Sequence, residues 1–288
     1  MKTLAAGLAL AAGLHVWALP AFAAEKGKPD PAQWETFFKE GVAQGRRGDW
    51  AGAIENLKTA AELKPGRYEI YTDLSLAYTE NRDFANAAVN AQKAIEADGS
   101  KAIAYLAMGL AQEGNGKNEE ALKAYQRASE LDPGNAEVHL TLGNLYGRRG
   151  ELDAARLSYE KAVAADPSNL FAHSNLGYVY EEKGDIDKAL TYFAKASELA
   201  SGDAVAWYDL GAAYGKKGDR LKAIDCYEKS FRLDPKHYKA CMSLALAYED
   251  EGKLDKASEY YVKAMSLTED PEIKDAILRQ VSRTNNKV

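Results

Sequence analysis

Between Trp34 and Pro271 the pattern of apolar and polar residues returns every 34 positions. Seven consecutive blocks (34–67, 68–101, 102–135, 136–169, 170–203, 204–237 and 238–271) share one register without insertion or deletion. Within a block, positions 4, 7, 8 and 11 fall on one face of a helix, and positions 20, 24 and 27 on one face of a second. Position 20 is Ala in every block, from Ala53 to Ala257. Position 8 is small (Gly41, Ser75, Gly109, Gly143, Gly177, Gly211, Ala245), and position 27 is Ala except for Ser230. Bulky residues fill the space between. Position 7 is mostly Leu, position 11 is often Tyr, and position 24 is mostly aromatic (Tyr125, Tyr159, Phe193, Tyr227, Tyr261). Small residues facing large ones predict two antiparallel helices in close approach, where a bigger side chain would overpack the contact by about 1–3 kcal/mol.

The punctuation agrees. Gly stands at position 15 in six blocks (Gly48, Gly116, Gly150, Gly184, Gly218, Gly252), suited to a helix end. An acidic residue often follows (Asp49, Asp83, Glu151, Asp185, Asp219) and favours the start of the second helix. Pro65, Pro133, Pro167 and Pro235 then stop it. A fixed period of this length marks a solenoid, in which each unit buries its apolar face only against its neighbours.

The order Trp207, Leu210, Gly211, Tyr214, Ala223, Tyr227, Pro235 resembles the tetratricopeptide repeat, a likeness that extends over 238 of the 288 residues. The resemblance implies an all-α fold: a right-handed α-solenoid of seven 34-residue helix-turn-helix repeats with a concave groove. The first two blocks depart most, with Glu40 and Gln44 at the Leu and Tyr positions of block one and Arg82 at the glycine position of block two. The departures of block one suit a terminal repeat with one face in water. After Pro271, a helix over 272–281 with Ile273, Ala276, Ile277 and Val281 on one face is expected to cap the stack, followed by a polar tail to 288.

The first 23 residues differ in kind. Lys2 supplies a charge, Leu4–Leu19 an apolar run, and Ala21-Phe22-Ala23 a small-x-small cleavage site. They predict a secretory signal, with the mature chain periplasmic or secreted. An uncleaved anchor is the alternative, but the run is shorter than the roughly 20 residues a spanning helix needs. Residues 24–33 read as a linker. Loss of Lys2 takes the net charge from −6 to −7, and no basic run offers a footprint for nucleic acid or an anionic membrane.

Candidate chemistry is sparse. Cys226 and Cys241 lie on neighbouring predicted helices, either as a disulfide or as two buried thiols. His139 and His173 occupy packing positions. His237 with the two cysteines would leave a zinc site one ligand short. Carboxylate pairs such as Glu181–Glu182 and Glu249–Asp250 read as solvated helix ends. No metal, cofactor or catalytic constellation is expected, and the 50 residues outside the repeats leave no room for a catalytic domain.

The resemblance places ligands on the first helices, at positions 2, 5, 6, 9, 12 and 13. Positions 2, 5 and 9 form an apolar stripe: Phe38 and Val42, Leu76, Ile103, Leu106 and Leu110, Leu140, Phe171 and Tyr178, Val205 and Tyr208, Met242 and Leu246. Asn144 and Asn175 match the two asparagines with which some members of the family hold a peptide carboxylate. Leu140, Val205 and Asp209 stand where the basic partners should be, so the clamp is incomplete. Arg46, Arg148, Lys216 and Lys239 are expected at the groove's rim, opposed by Glu113, Glu181, Glu182, Glu249 and Asp250. The expected function is a non-catalytic scaffold gripping a protein, peptide or amphipathic helix. Leu106→Asp with Leu140→Asp should then abolish capture and spare the helices. The alternative is a structural protein that binds copies of itself.

Overall fold

The structure, a computed structural model, describes residues 30–285. The predicted signal and most of the linker lie outside the described residues. The linker's last residues form a 3-10 turn, Pro31–Gln33, closed by a reciprocal cap between Asp30 and Gln33. Among the described residues there is no strand, and no helix is long and apolar enough to cross a membrane.

The chain divides between Arg149 and Gly150 into two compact units. The first contains α1 (Trp34–Arg46), α2 (Trp50–Leu63), α3 (Tyr68–Glu80), α4 (Phe84–Ala97), α5 (Ala102–Gly114), α6 (Asn118–Leu131) and α7 (Ala136–Arg148). The second contains α8 (Leu152–Ala165), α9 (Leu170–Glu182), α10 (Ile186–Leu199), α11 (Ala204–Lys217), α12 (Arg220–Leu233), α13 (Tyr238–Asp250), α14 (Leu254–Ser266) and α15 (Pro271–Asn285). In each unit helices pack in consecutive pairs and each pair packs on the next, the arrangement of an all-α tetratricopeptide solenoid.

The small–large pairing has a direct steric basis. A methyl group added at Gly109 would lie 2.2 Å from the Tyr125 ring, at Gly177 2.6 Å from Phe193, and at Gly211 2.7 Å from Tyr227. In these repeats position 8 stays bare because position 24 of the same repeat fills its place. The turns follow the same economy. Gly48, Gly116, Gly184, Gly218 and Gly252 all hold left-handed φ near +71° to +87°. Arg82, which lacks a glycine's freedom, is held there too at φ 61°. Asp49, Asp83, Asp185 and Asp219 each accept a backbone N–H three residues on, capping α2, α4, α10 and α12.

Polar side chains stitch repeats together at fixed spacing. Arg149 pairs with Glu119 (3.3 Å) in the first unit; Lys183 pairs with Asp153 and Lys217 with Asp187 (both 2.6 Å) in the second. The Tyr180 hydroxyl donates to Glu160 of the preceding repeat at 3.0 Å, and Tyr248 donates likewise to Glu228. The position-11 tyrosines thus tether as well as fill. His139 and His173 are buried, with Nε2 at 2.8 and 3.0 Å from the carbonyls of Pro133 and Pro167, which makes them fasteners of the loop before their helix.

The terminal helix α15 packs on α14. It runs longer than expected and uses fewer of its apolar residues. Ile277 is buried in the cluster of Tyr248 and Tyr261, and Val281 packs against it. Ile273 and Ala276 stay exposed, because α15 meets α14 along a narrower stripe than the sequence pattern offered.

Candidate functional site

The two units treat the predicted ligand stripe differently. In the first, Phe38 and Val42 are half-buried against the core of Ala53, Leu57 and Leu74, and Ile103 and Leu110 against that of Tyr125 and Leu142. Leu76 and Leu140 are half-buried. Leu106 does not belong to the stripe: it is 1% exposed and sits inside the core. The reason is local. In α5 the usual core position is Met108, which stays half-buried, and Leu106 fills the interior in its stead. The double variant built on Leu106 would therefore unfold the repeat and not test a groove.

In the second unit the stripe is open. Phe171 on α9, Val205 on α11 and Leu246 on α13 are exposed by 47%, 50% and 49%. Tyr178, Tyr208 and Met242 lie half-buried on the same three helices. Tyr178 meets Phe193 edge-on at 5.1 Å, and Tyr208 meets the His237 ring edge-on at 5.0 Å. These contacts fix both phenol rings beside a pocket of about 410 Å³. Tyr178, Val205, Tyr208 and Asp209 line one side, and Asp234, Lys236, His237, Tyr238 and Lys239, at the turn into α13, line the other.

Asp209 is the most unusual group there. It is 9% exposed, and its Oδ2 accepts a hydrogen bond from the Tyr178 hydroxyl. Burial pushes its pKa up to about 6 against the lowering effect of the Tyr178 bond. His237 is held below the usual histidine range, chiefly by burial. Its Nδ1 lies 2.9 Å from Ser230 Oγ, and that hydroxyl gives its proton to the Ala204 carbonyl at 2.7 Å. Ser230 must then accept from Nδ1–H, which fixes the ring's tautomer and leaves Nε2 as the unprotonated nitrogen. The sequence drew attention to Asp209 only as a misfit in an incomplete clamp. The signal was its place at position 6, on the same face as Val205 and Tyr208.

Several predicted rim charges are engaged within the fold. Arg148 binds Glu113 at 2.7 Å, and Glu113 also accepts from Tyr125. Lys216 binds Glu181, whose side chain is only 11% exposed. Glu249 accepts from Tyr261 and from Gln280 of α15. These acids hold adjacent repeats together and do not oppose a guest. Asn144 and Asn175 are half-buried, lie in different units, and already have interaction partners. Cys226 and Cys241 are free, buried thiols. Among the described residues no group of three metal-binding side chains converges.

Fold and repeat geometry define a tetratricopeptide-repeat protein. The chain belongs to the family described as the Cilia and flagella-associated protein 70 C-terminal domain, whose model matches residues 3–287. Among solved structures it is similar to MamA, with 32% identity and a TM-score of 0.54 over 56% of this chain and 94% of MamA. PilF of Pseudomonas aeruginosa shares 19% identity and a TM-score of 0.64 over 74% of this chain and 97% of its own. YrrB, described as a TPR protein with an unusual peptide-binding site, shares 24% identity and a TM-score of 0.54 over 65% of this chain and 96% of its own. The last two share the fold alone. Comparison with curated proteins gives no match.

Proposed function

We propose that this chain is a non-catalytic interaction scaffold of the bacterial envelope that grips an extended peptide or a helix on the first helices of its second unit. The observation that carries the reading is the set of Phe171, Val205 and Leu246, each about half exposed on the first helices α9, α11 and α13, with Val205 lining a pocket that holds a buried carboxylate. Large apolar side chains left exposed on successive first helices suit an interaction site. Burial of these side chains supplies affinity, and Tyr178, Tyr208 and Asp209 supply orientation, with no chemical step. The envelope assignment rests on the sequence of residues 1–23.

The purified chain, immobilised and offered a displayed library of random dodecapeptides, is expected to enrich a consensus. Val205→Asp with Leu246→Asp should abolish capture of the enriched peptides while the helical circular-dichroism signal stays unchanged. Undiminished capture by that variant would reject this face as the site. A second reading, self-association, draws support from Leu157, Leu221 and Leu233, which the second helices α8 and α12 leave exposed. Light scattering over a concentration series separates the two, since a stable monomer disfavours it.

A further inference from the structure

Resting on the binding reading above, we propose that the pocket at Asp209 seats a cationic side chain, an ammonium or guanidinium, carried by the bound peptide. Asp209 lines the pocket but is nine-tenths buried. One oxygen accepts from Tyr178, and among the described residues no lysine or arginine forms an ion pair with the carboxylate. A desolvated carboxylate in this state is costly until a counter-charge arrives. The protein's own cations do not fill that role. Lys236 and Lys239 are exposed at the turn into α13, and Lys239 reaches Asp209 only through its field. Glu181 and Asp203 add negative potential at the carboxylate, and neutral His237 presents no positive charge to compete.

The remaining walls suit the same guest. Tyr178 and Tyr208 offer phenol rings to a cation, and Val205 offers an apolar surface to the alkyl stem of a lysine or arginine. An anionic group is disfavoured here because it would have to lie against Asp209 with little water between them. Burial is also what raises the pKa of Asp209 to about 6. Near neutral pH the carboxylate is mostly ionised, and an arriving cation relieves its desolvation.

The test uses the dodecapeptides enriched on the purified chain. The most strongly enriched one is resynthesised with its conserved Lys or Arg replaced by norleucine, and both forms are titrated calorimetrically against wild type and Asp209→Asn. The proposal expects Lys or Arg in the consensus. It expects about a tenfold loss or more from either change alone, and little further loss from both together, the mark of a direct pair. The norleucine arm uses wild-type protein, so it holds even if Asp209→Asn fails to fold. Peptides that need Val205 and Leu246 but carry no required cation, or that select Asp or Glu, would overturn the cation pocket and leave the binding face standing. Failure to enrich any peptide would remove both.

Discussion

Among the described residues of the first unit, Val89 is the exposed large apolar side chain. The second unit leaves Leu157, Phe171, Leu199, Val205, Leu221, Leu233, Leu246, Val262, Ile273 and Leu278 in water. Both are built from the same repeat, with the same small–large contacts and the same acid–cation stitches. The difference is in what occupies the positions that the fold does not need. Position 2 is Glu35, Glu69 and Glu137 in three of the four first helices of the first unit, but Phe171 and Val205 in α9 and α11 of the second. Of the long aliphatics that the first unit places on this face, Leu106 is buried and Leu76, Ile103, Leu110 and Leu140 are half-buried. A repeat's framework is therefore silent about where a guest sits. The residues free to vary around it decide.

The largest test of that contrast is Leu106→Asp against Leu246→Asp. An aspartate replacing a side chain 1% exposed should cost about 4 kcal/mol or more, whereas at Leu246 the change should stay within about 0.5 kcal/mol. Urea denaturation of both variants checks it, and similar costs would erase the distinction between core and face.

Asp209→Asn should stabilise the protein at pH 7, by about 1–3 kcal/mol, since burial raises the carboxyl from 3.8 to about 6. The sign follows from proton uptake. Between those values the folded state holds more protons than the unfolded, so wild-type stability at this site rises as pH falls. The variant's advantage is present above about pH 6 and disappears toward pH 4. Denaturation midpoints at pH 7.5 and 4 measure it; an advantage equal at both would show that the carboxylate is not strained.

The first unit has one turn without glycine where the other turns have it. Arg82→Gly should add about 1 kcal/mol by relieving a left-handed non-glycine residue. The smallest effect concerns what the units share. Glu113→Gln and Glu181→Gln should each cost about 0.5–1 kcal/mol, because each removes one partly exposed ion pair between repeats. A large cost in one unit alone would mean that the clamps are not equivalent.

Much of the framework was legible in the chain. Gly109 and Tyr125, or Gly177 and Phe193, announce a close helix contact because that arrangement needs one bare and one bulky position sixteen residues apart. The site was legible only in part. Position counting cannot see the exchange of Leu106 for Met108 inside α5, since both are apolar and only packing decides which one turns in. Nor can it see that Arg148 and Lys216 are bound to Glu113 and Glu181, because those partners lie 35 residues away on the next helix pair. Asp209 was visible as a residue, but its burial and its bond to Tyr178 arise from three helices meeting.

Amide hydrogen–deuterium exchange with and without an enriched dodecapeptide tests most directly where the guest is held. Added protection is expected to concentrate in peptides covering α9, α11 and the start of α13. Protection confined to α1, α3 and α5, or to the second helices of the repeats, would contradict it.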